Sequence, residues 1–457
     1  VNIPVDSTTI STPNSFHGNA AGSRSAKMRT IFPLTVSPSA VFSISNGLIP
    51  WIESYLNNFY KDYDFKCMAS VGHIKNLPRK KLSVDIDDNF KPDFQIIDDP
   101  NNLKTVKQLK SYAKKYKNIV LATDPDREGE RIAYDLAEVL NLSMRNKNRM
   151  VFNSITEDSV CSAFKNLKKI NTDYVNSQIA RRIIDRLIGY KISPIIMNSI
   201  QKSASAGRVL SITTKIIYDK KIDIGKYVKK YKFVTTGNFY TSTKNSLNDC
   251  ILNKIYKKKA DVLKFLKSIQ HSKYFIKSIT SNNGSSKPPA PFITSTINQA
   301  SNYSVSKTTT LLQKLYESGY ITYIRTDSTA ISPIFVDKIS KYIKTNYGKK
   351  YLQNRIYSKQ IKGAQDAHEC IRPTKLDMPM SKIKDESKLN LYKMIWKRTV
   401  ASQMSNHTYD IIKINIGIDN KSELFTKKFN ITIFNGWKKL YKIDDDVSLI
   451  KIYKKLK

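Results

Sequence analysis

Cysteine is scarce in this chain. Its four cysteines, Cys67, Cys161, Cys250 and Cys370, are scattered and form no Cys-x-x-Cys pair, so no zinc ribbon is predicted. Isolated thiols fit a reducing compartment. No apolar run approaches the ~18 residues that a membrane span needs, and no Gly-x-x-x-x-Gly-Lys-Ser/Thr loop is present. We therefore expect neither membrane insertion nor nucleotide-driven chemistry.

Acidic residues are also few, at 38 against 77 lysines and arginines in 457 residues, which gives a net charge of +39. A balance this basic predicts a polyanionic partner, and a nucleic acid backbone is the simplest one. The chain is also rich in Lys, Asn, Ile and Tyr, as an AT-rich genome would encode, so the positions of the arginines are more informative than the lysine excess. At roughly 150 residues per domain, the length predicts two to four domains.

Carboxylates are concentrated in residues 119–134. The apolar run 119–122 predicts a buried strand of a parallel sheet, and the apolar spacing after Gly129 predicts a helix. Asp124, Asp126 and Glu128 therefore follow the carboxyl end of a strand, where open α/β sheets place their sites. Three such carboxylates repel each other unless a cation neutralises them, and Mg²⁺ prefers carboxylate oxygens. We predict a Mg²⁺ site; the alternative is a solvated acidic helix start.

Tyr323 and Arg325 lie two residues apart in the segment 321–328. A tyrosine hydroxyl, with a pKa of about 10, is a poor nucleophile at neutral pH. A cation beside it favours the phenolate and can also hold a phosphate. This pair therefore suits cleavage of a phosphodiester through a covalent phosphotyrosine. A strand end that carries an aromatic residue is the alternative, and the acidic segment earlier in the chain favours the catalytic interpretation.

Together these residues resemble the type IA DNA topoisomerases, in particular the relaxing subgroup of bacterial-type topoisomerase I. The acidic triplet resembles the signature of that family's Toprim domain, and Tyr323 with Arg325 resembles its nucleophile motif. Further segments match the family in order: 69–78, 178–190, 205–209, 289–296 and 367–374.

The resemblance implies a multidomain fold of α/β, α and β regions, in which a Toprim domain, helical domains and a β-rich arch form a partial torus. It implies these boundaries: an N-terminal extension at 1–39, the Toprim domain at 40–165, a helical single-strand-binding segment at 166–227, the first part of the arch at 228–288, a helical domain with Tyr323 at 289–409, and the return of the arch at 410–457.

The resemblance also assigns DNA contacts to His73, Arg181, Arg182, Asp185 and Arg208. Spacings of three and four residues place Asp185 beside Arg182 and Arg181 on one helical face. Asp185 either orients an arginine toward DNA or pairs the helix with itself.

Two further residues, His368 and Arg372, are expected at the cleaved phosphate with Tyr323 and Arg325. Preorganised donors there stabilise the charge that develops in the transition state.

Three features depart from the family pattern. Ile44 stands where the family has a glutamate that transfers protons beside the metal, and isoleucine does neither. We expect a cytoplasmic, nucleoid-associated protein. Residues 1–38 have the hydroxyl-rich, acid-poor composition of an organelle transit peptide, which would imply import into an organelle. The alternatives for this segment are a disordered extension or a misread upstream frame. The family's core continues well beyond Trp437, so we expect a truncated core, a fragment, or one half of a split enzyme whose second polypeptide supplies the remainder.

The resemblance implies cleavage of one DNA strand through a 5′-phosphotyrosine, strand passage and religation. Negative supercoils would relax without ATP, with Mg²⁺ as cofactor and DNA as partner. Two alternatives remain open: a catalytically impaired relative that binds single-stranded DNA, which Ile44 favours, and a Toprim nuclease or primase.

Overall fold

The computed structural model describes residues 30–34, 39–41, 49–60, 64–70, 72–116, 118–240, 246–357, 369–441 and 445–456. Ile44, His368 and the extension before residue 30 lie outside these residues. The chain divides into two compact units. The first contains the described residues up to Gly225 together with Ser301–Ile324, and the second contains Lys226–Ala300 and the described residues from Arg325 onward. None of the described helices is long and apolar enough to cross a bilayer.

The first unit mixes strands and helices. Its strands include β1 (Thr30–Leu34), β2 (Ser39–Val41), β3 (Asp64–Lys66), β4 (Met68–Ala69), β5 (Lys75–Asn76), β6 (Val84–Asp85), β7 (Lys91–Pro92), β8 (Gln95–Ile96) and β9 (Asn118–Val120). Its helices include α1 (Ile49–Phe59), α2 (Pro100–Lys115), α3 (Arg127–Val139), α4 (Glu157–Lys165), α5 (Thr172–Leu187), α6 (Ser193–Ser199) and α7 (Arg208–Lys226).

A five-stranded sheet in the order β3-β2-β9-β1-β4 forms the centre of this unit. Strand β2 runs parallel to β3 and β9, whereas β1 runs antiparallel to β9 and β4. The predicted buried strand is confirmed, because Ile119 is 8% exposed and Leu121 is 0% exposed. The sheet is mixed rather than wholly parallel, since β1 enters beside β9 in the opposite direction.

Helix α3 confirms the predicted helix after the acidic segment. Asp126 is its N-cap, and the carboxylates of Glu128 and Glu130 lie in its first turn, where the positive end of the helix macrodipole stabilises them. The apolar residues of α3 join residues of α2, α5 and β9 in one hydrophobic core. The acidic loop therefore rests on a packed strand and a packed helix.

The second unit is built around a long antiparallel sheet. Its elements include β10 (Thr236–Tyr240), β11 (Ser246–Leu252), α8 (Lys259–Ile269), β12 (Tyr274–Ser286), α9 (Thr294–Ala300), α11 (Pro333–Tyr347), α12 (Glu386–Ser402), β13 (His407–Ile418), β14 (Leu424–Phe434) and α13 (Val447–Leu456); α10 (Val305–Glu317) lies in the first unit. The sheet has the order β10-β11-β14-β13-β12. Its apolar face packs with residues of α8 and α13.

This sheet joins two stretches of sequence that helices separate. Strands β12 and β13 pair along their whole length, from Tyr274 opposite Ile418 to Ser286 opposite His407. Strands β10 to β12 precede α9, α11 and α12, and β13 and β14 follow them. Because β12 pairs with β13, the two separate stretches of sequence form one sheet and share one hydrophobic core.

Candidate active site

Short contacts close the acidic loop between β9 and α3. Asp126 Oδ1 accepts a hydrogen bond of 2.7 Å from Gly129 N, and Thr123 Oγ1 donates one of 2.7 Å to Gly129 O. A Cβ on residue 129 would lie 2.0 Å from the carbonyl oxygen of Asp124, so this close approach requires glycine. Asp124 and Asp126 are each 7% exposed. The loop thus holds two buried carboxyl groups at the end of the strand.

A buried arginine supports the loop from behind. Arg149 is 0% exposed, donates from Nη2 to the carbonyl oxygen of Asp124 at 2.8 Å, and pairs through Nε with Glu130 Oε2 at 3.0 Å. Sequence reasoning missed Arg149. The one available signal was an arginine directly before the apolar stretch 150–152, where a charged side chain needs a partner.

Tyr323 lies against this loop. Its Oη donates a hydrogen bond of 2.7 Å to Asp126 Oδ2 across 197 residues of sequence, and its backbone N donates to Asn153 O at 2.9 Å. The side chain is 3% exposed, and its ring meets that of Tyr316 edge to face, with centroids 5.3 Å apart. The predicted nucleophile and a predicted acidic residue are therefore in direct contact.

Glu128 faces a different set of partners. Its Oε2 lies 2.8 Å from His73 Nε2 and accepts from Gln178 Nε2 at 3.2 Å. Burial alone would raise the pKa of Glu128. The hydrogen bonds from His73 and Gln178 and the charges of His73 and Arg181 together outweigh this effect and lower the pKa to about 2. Glu128 is thus a carboxylate held by an amide and a histidine. Sequence reasoning missed Gln178, although it begins a segment that matches the family.

The Mg²⁺ site predicted at Asp124, Asp126 and Glu128 stays a prediction. No group of three or more His, Cys, Asp or Glu side chains suited to a metal ion occurs within the described residues. Glu128 is directed to His73 and Gln178 because its position in the first turn of α3 brings it to those side chains. Asp124 and Asp126 still fit Mg²⁺, which commonly takes one or two carboxylates and keeps several waters.

Two of the predicted DNA-binding arginines differ in what they contact. Arg181 is exposed on α5, whereas Arg182 donates from Nη2 and Nε to Asn76 Oδ1 at 2.7 and 3.2 Å. A third arginine of the same helix, Arg186, is 9% exposed and donates to backbone carbonyls of residues 77, 78 and 81. Arg182 and Arg186 therefore hold the segment after His73 in place, and Arg181 presents its charge to solvent.

Asp185 pairs across helices. Arg208 Nε and Nη2 donate to its two carboxylate oxygens at 2.5 and 2.9 Å. The alternative in which Asp185 pairs with Arg181 or Arg182 on its own helix is not what the contacts show, because the start of α7 brings a planar guanidinium that fits both oxygens. Asp185 does orient an arginine, and that arginine is Arg208.

The remaining predicted residues belong to the second unit. Arg325 is half-buried. Arg372 is 7% exposed, pairs with Glu369 through Nε, and packs on the Phe335 ring with its guanidinium carbon 3.9 Å from the centroid. This placement supports the loop around residues 369–374. His368 lies outside the described residues.

Comparison with known proteins agrees with the architecture. A Toprim domain model matches residues 36–155, and a DNA topoisomerase model matches residues 169–455. Full-length topoisomerase I from Thermotoga maritima is similar in structure with a TM-score of 0.75 and 32% identity, over 90% of this chain and 68% of that chain. The predicted multidomain fold with a Toprim domain is confirmed. The chain belongs to the bacterial-type type IA DNA topoisomerases.

Proposed function

We propose that this topoisomerase cleaves one DNA strand by attack of Tyr323 Oη on a phosphodiester. The new bond joins Oη to the 5′-phosphate, and the bond from phosphorus to the 3′ oxygen breaks. The hydroxyl proton passes to Asp126, the departing 3′ oxygen takes up a proton from water to become a 3′-hydroxyl, and Asp126 then releases its proton to solvent. The single observation that carries the proposal is the hydrogen bond of 2.7 Å from Tyr323 Oη to Asp126 Oδ2. It supplies a proton acceptor in contact with the nucleophile.

Religation is the reverse of this step. The 3′-hydroxyl attacks the phosphotyrosine after another strand has passed, so the bond energy is conserved and no nucleotide is needed. When the DNA is under torsional tension, this cycle relaxes negative supercoils. Tyr323 is 3% exposed, so DNA reaches it only after the residues that cover it have moved, as in enzymes that close around their substrate.

Asp124 and Asp126 would hold a Mg²⁺ ion at the loop. When bound, the ion supplies positive charge that neutralises the substrate phosphate. Arg325 follows Tyr323 closely in sequence, and its guanidinium suits a non-bridging phosphate oxygen.

Phosphate contacts away from the reacting atoms hold the single strand. Arg181 is exposed beside Glu128, and Arg208 is held bidentately by Asp185. Both would bind the DNA backbone with the salt dependence that phosphate contacts show. His73, bonded to Glu128, would contact the strand near the acidic loop.

A cleavage assay tests the proposal. The polypeptide is incubated with single-stranded DNA and Mg²⁺ and quenched with denaturant, with the label on the 3′ end in one sample and on the 5′ end in another. We expect 3′ label to travel with the protein and 5′ label to appear in a shorter free strand. Tyr323→Phe should abolish both products, whereas Tyr303→Phe, the removal of a half-buried hydroxyl of the same unit, should retain them.

A catalytically impaired protein that binds single-stranded DNA is the second candidate. The isoleucine at position 44 favours it, because the family has a glutamate there. Salt-sensitive binding without any adduct in the same assay would establish this candidate. Cleaved strands with free ends, unchanged by Tyr323→Phe, would instead indicate a Toprim nuclease.

A further inference from the structure

An unpaired hydroxyl is buried beside the proposed nucleophile. Tyr316, on α10, is 0% exposed, and its Oη has no hydrogen-bond partner within the described part of the chain. Buried polar groups nearly always have a partner, because water no longer compensates for a missing one. An unsatisfied hydroxyl at this position therefore indicates a small polar ligand.

The surroundings of Tyr316 identify what that ligand contacts. The ring packs edge to face on the Tyr323 ring, with an angle of 67° between the planes. Burial and then the negative charges of Asp124 and Asp126 raise the pKa of Tyr316 well above its ordinary value. The hydroxyl is therefore neutral and able to donate at neutral pH, and it lies within electrostatic reach of both carboxylates.

We propose that Tyr316 is a positioning residue for Tyr323, and that its hydroxyl donates to a buried water molecule which in turn donates to the carboxylates of Asp124 and Asp126. Such a water makes three hydrogen bonds, the number typical of buried waters. The inference rests on the proposed function, because positioning has a purpose only where Tyr323 reacts.

This water adds a hydrogen bond to Asp126. Asp126 Oδ1 accepts from Gly129 N and Oδ2 accepts from Tyr323 Oη. The added bond fixes the carboxylate plane, while the Tyr316 ring fixes the plane of the Tyr323 ring. Tyr316 then holds both the nucleophile, Tyr323, and the proton acceptor, Asp126.

Tyr316→Phe tests the role of the hydroxyl, since it retains the ring and removes one oxygen. In single-turnover cleavage of a 3′-labelled strand, we expect the rate of adduct formation to fall about tenfold, the worth of one ordinary hydrogen bond. The dissociation constant for the strand, measured without Mg²⁺, should change less than about twofold, because Tyr316 is 0% exposed. An unchanged cleavage rate would overturn the proposal.

Tyr392→Phe is the matched control. Tyr392 is 1% exposed on α12, and its Oη donates to Lys375 O at 3.2 Å, in the second unit. It loses a buried hydroxyl away from the acidic loop, so its Tm should fall while its rate of adduct formation remains that of the unchanged protein. An equal fall in rate in both variants would show a general loss of structure and would also overturn the proposal.

A crystal structure of the unchanged protein provides a test that does not depend on cleavage. We expect an ordered water about 3 Å from Tyr316 Oη and from a carboxylate oxygen of Asp124 or Asp126. Crystals grown with EDTA and with Mg²⁺ distinguish a free water from one bound to the cation, and absence of the water from both overturns the proposal. If the protein forms no adduct, the proposed function fails, yet this measurement still decides whether Tyr316 binds water. It also decides the matter if Tyr316→Phe does not fold.

Discussion

Helix α3 and, except for Lys226, helix α7 both belong to the first unit, yet they are buried to very different extents. Eight of the thirteen residues of α3 are buried, including the charged Glu130, Arg131 and Asp135. Among the described residues, nothing in the nineteen-residue helix α7 is buried. The difference shows where the chain supplies its own partners and where it presents a surface.

Charged groups follow the same division. In α3, Arg131 pairs with Asp135, and the side chains are 4% and 1% exposed. The α7 pair of Arg208 with Asp185 is 31% and 40% exposed. Buried pairs are costly to disrupt because each charge has lost its water, whereas exposed pairs contribute little. Helix α3 is therefore held by a buried charge pair of its own, whereas the pair at the start of α7 is exposed to solvent.

A glycine in each helix provides the largest expected contrast. Gly129→Ala would place Cβ 2.0 Å from the backbone oxygen of Asp124, and we expect a loss of about 5 kcal/mol or more, enough to unfold the unit. Gly225→Ala meets no atom within 4 Å, and should stabilise by about 0.5–1 kcal/mol because alanine favours a helix. Denaturant unfolding of both variants measures the contrast; a folded Gly129→Ala with unchanged stability would contradict it.

Removing the arginine from a buried pair, Arg149 with Glu130, and from the exposed pair of Arg208 comes next in size. Arg149→Met leaves Glu130 buried without its partner, and we expect a loss of about 3–5 kcal/mol. Arg208→Met removes the exposed pair with Asp185 and should cost no more than about 1 kcal/mol. Urea unfolding curves with a common slope compare the two. Equal losses would mean that the α7 pair is also desolvated.

The sequence predicted which residues form the acidic loop better than it predicted which partners their side chains contact. Asp126 and Tyr323 were each named from local motifs, and their contact explains why both motifs occur in one chain. The side chain of Glu128 contacts His73, which lies 55 residues earlier in the sequence. A local sequence pattern does not predict a contact over that separation. Arg149 was missed for the same reason, since the carbonyl that it binds is 25 residues away.

The apolar residues of α7 show a second limit of prediction from sequence, which concerns burial. Ile212 and Ile216 are each 62% exposed, whereas composition alone would place them in a core. The burial of an isoleucine is a property of the assembled molecule, and the helix alone does not specify its partner.

An isoleucine in each helix tests this difference in burial. Ile132→Ala empties space at a residue that is 0% exposed and should cost about 3 kcal/mol. Ile216→Ala should change the stability of the isolated chain by less than about 0.5 kcal/mol, because its side chain already contacts water. Thermal unfolding of the two variants provides the measurement. A loss above about 1 kcal/mol for Ile216→Ala would show that this chain covers its own helix.

The smallest expected effect concerns the pH dependence of α3. Glu128 has a folded pKa of about 2 against an ordinary 4.5, so its ionised form stabilises the fold above pH 4.5 and this stability is lost as the pH falls toward 2. His73→Ala removes the hydrogen bond to Glu128 and should raise the pKa by about one unit. The loss of stability then begins at a higher pH. Carbon NMR titration of the Glu128 carboxyl in EDTA measures the shift, with the exposed His271→Ala as control. An unchanged Glu128 pKa in His73→Ala would mean that Gln178 and Arg181 alone hold this carboxylate, and that α3 needs no partner from the segment before residue 100.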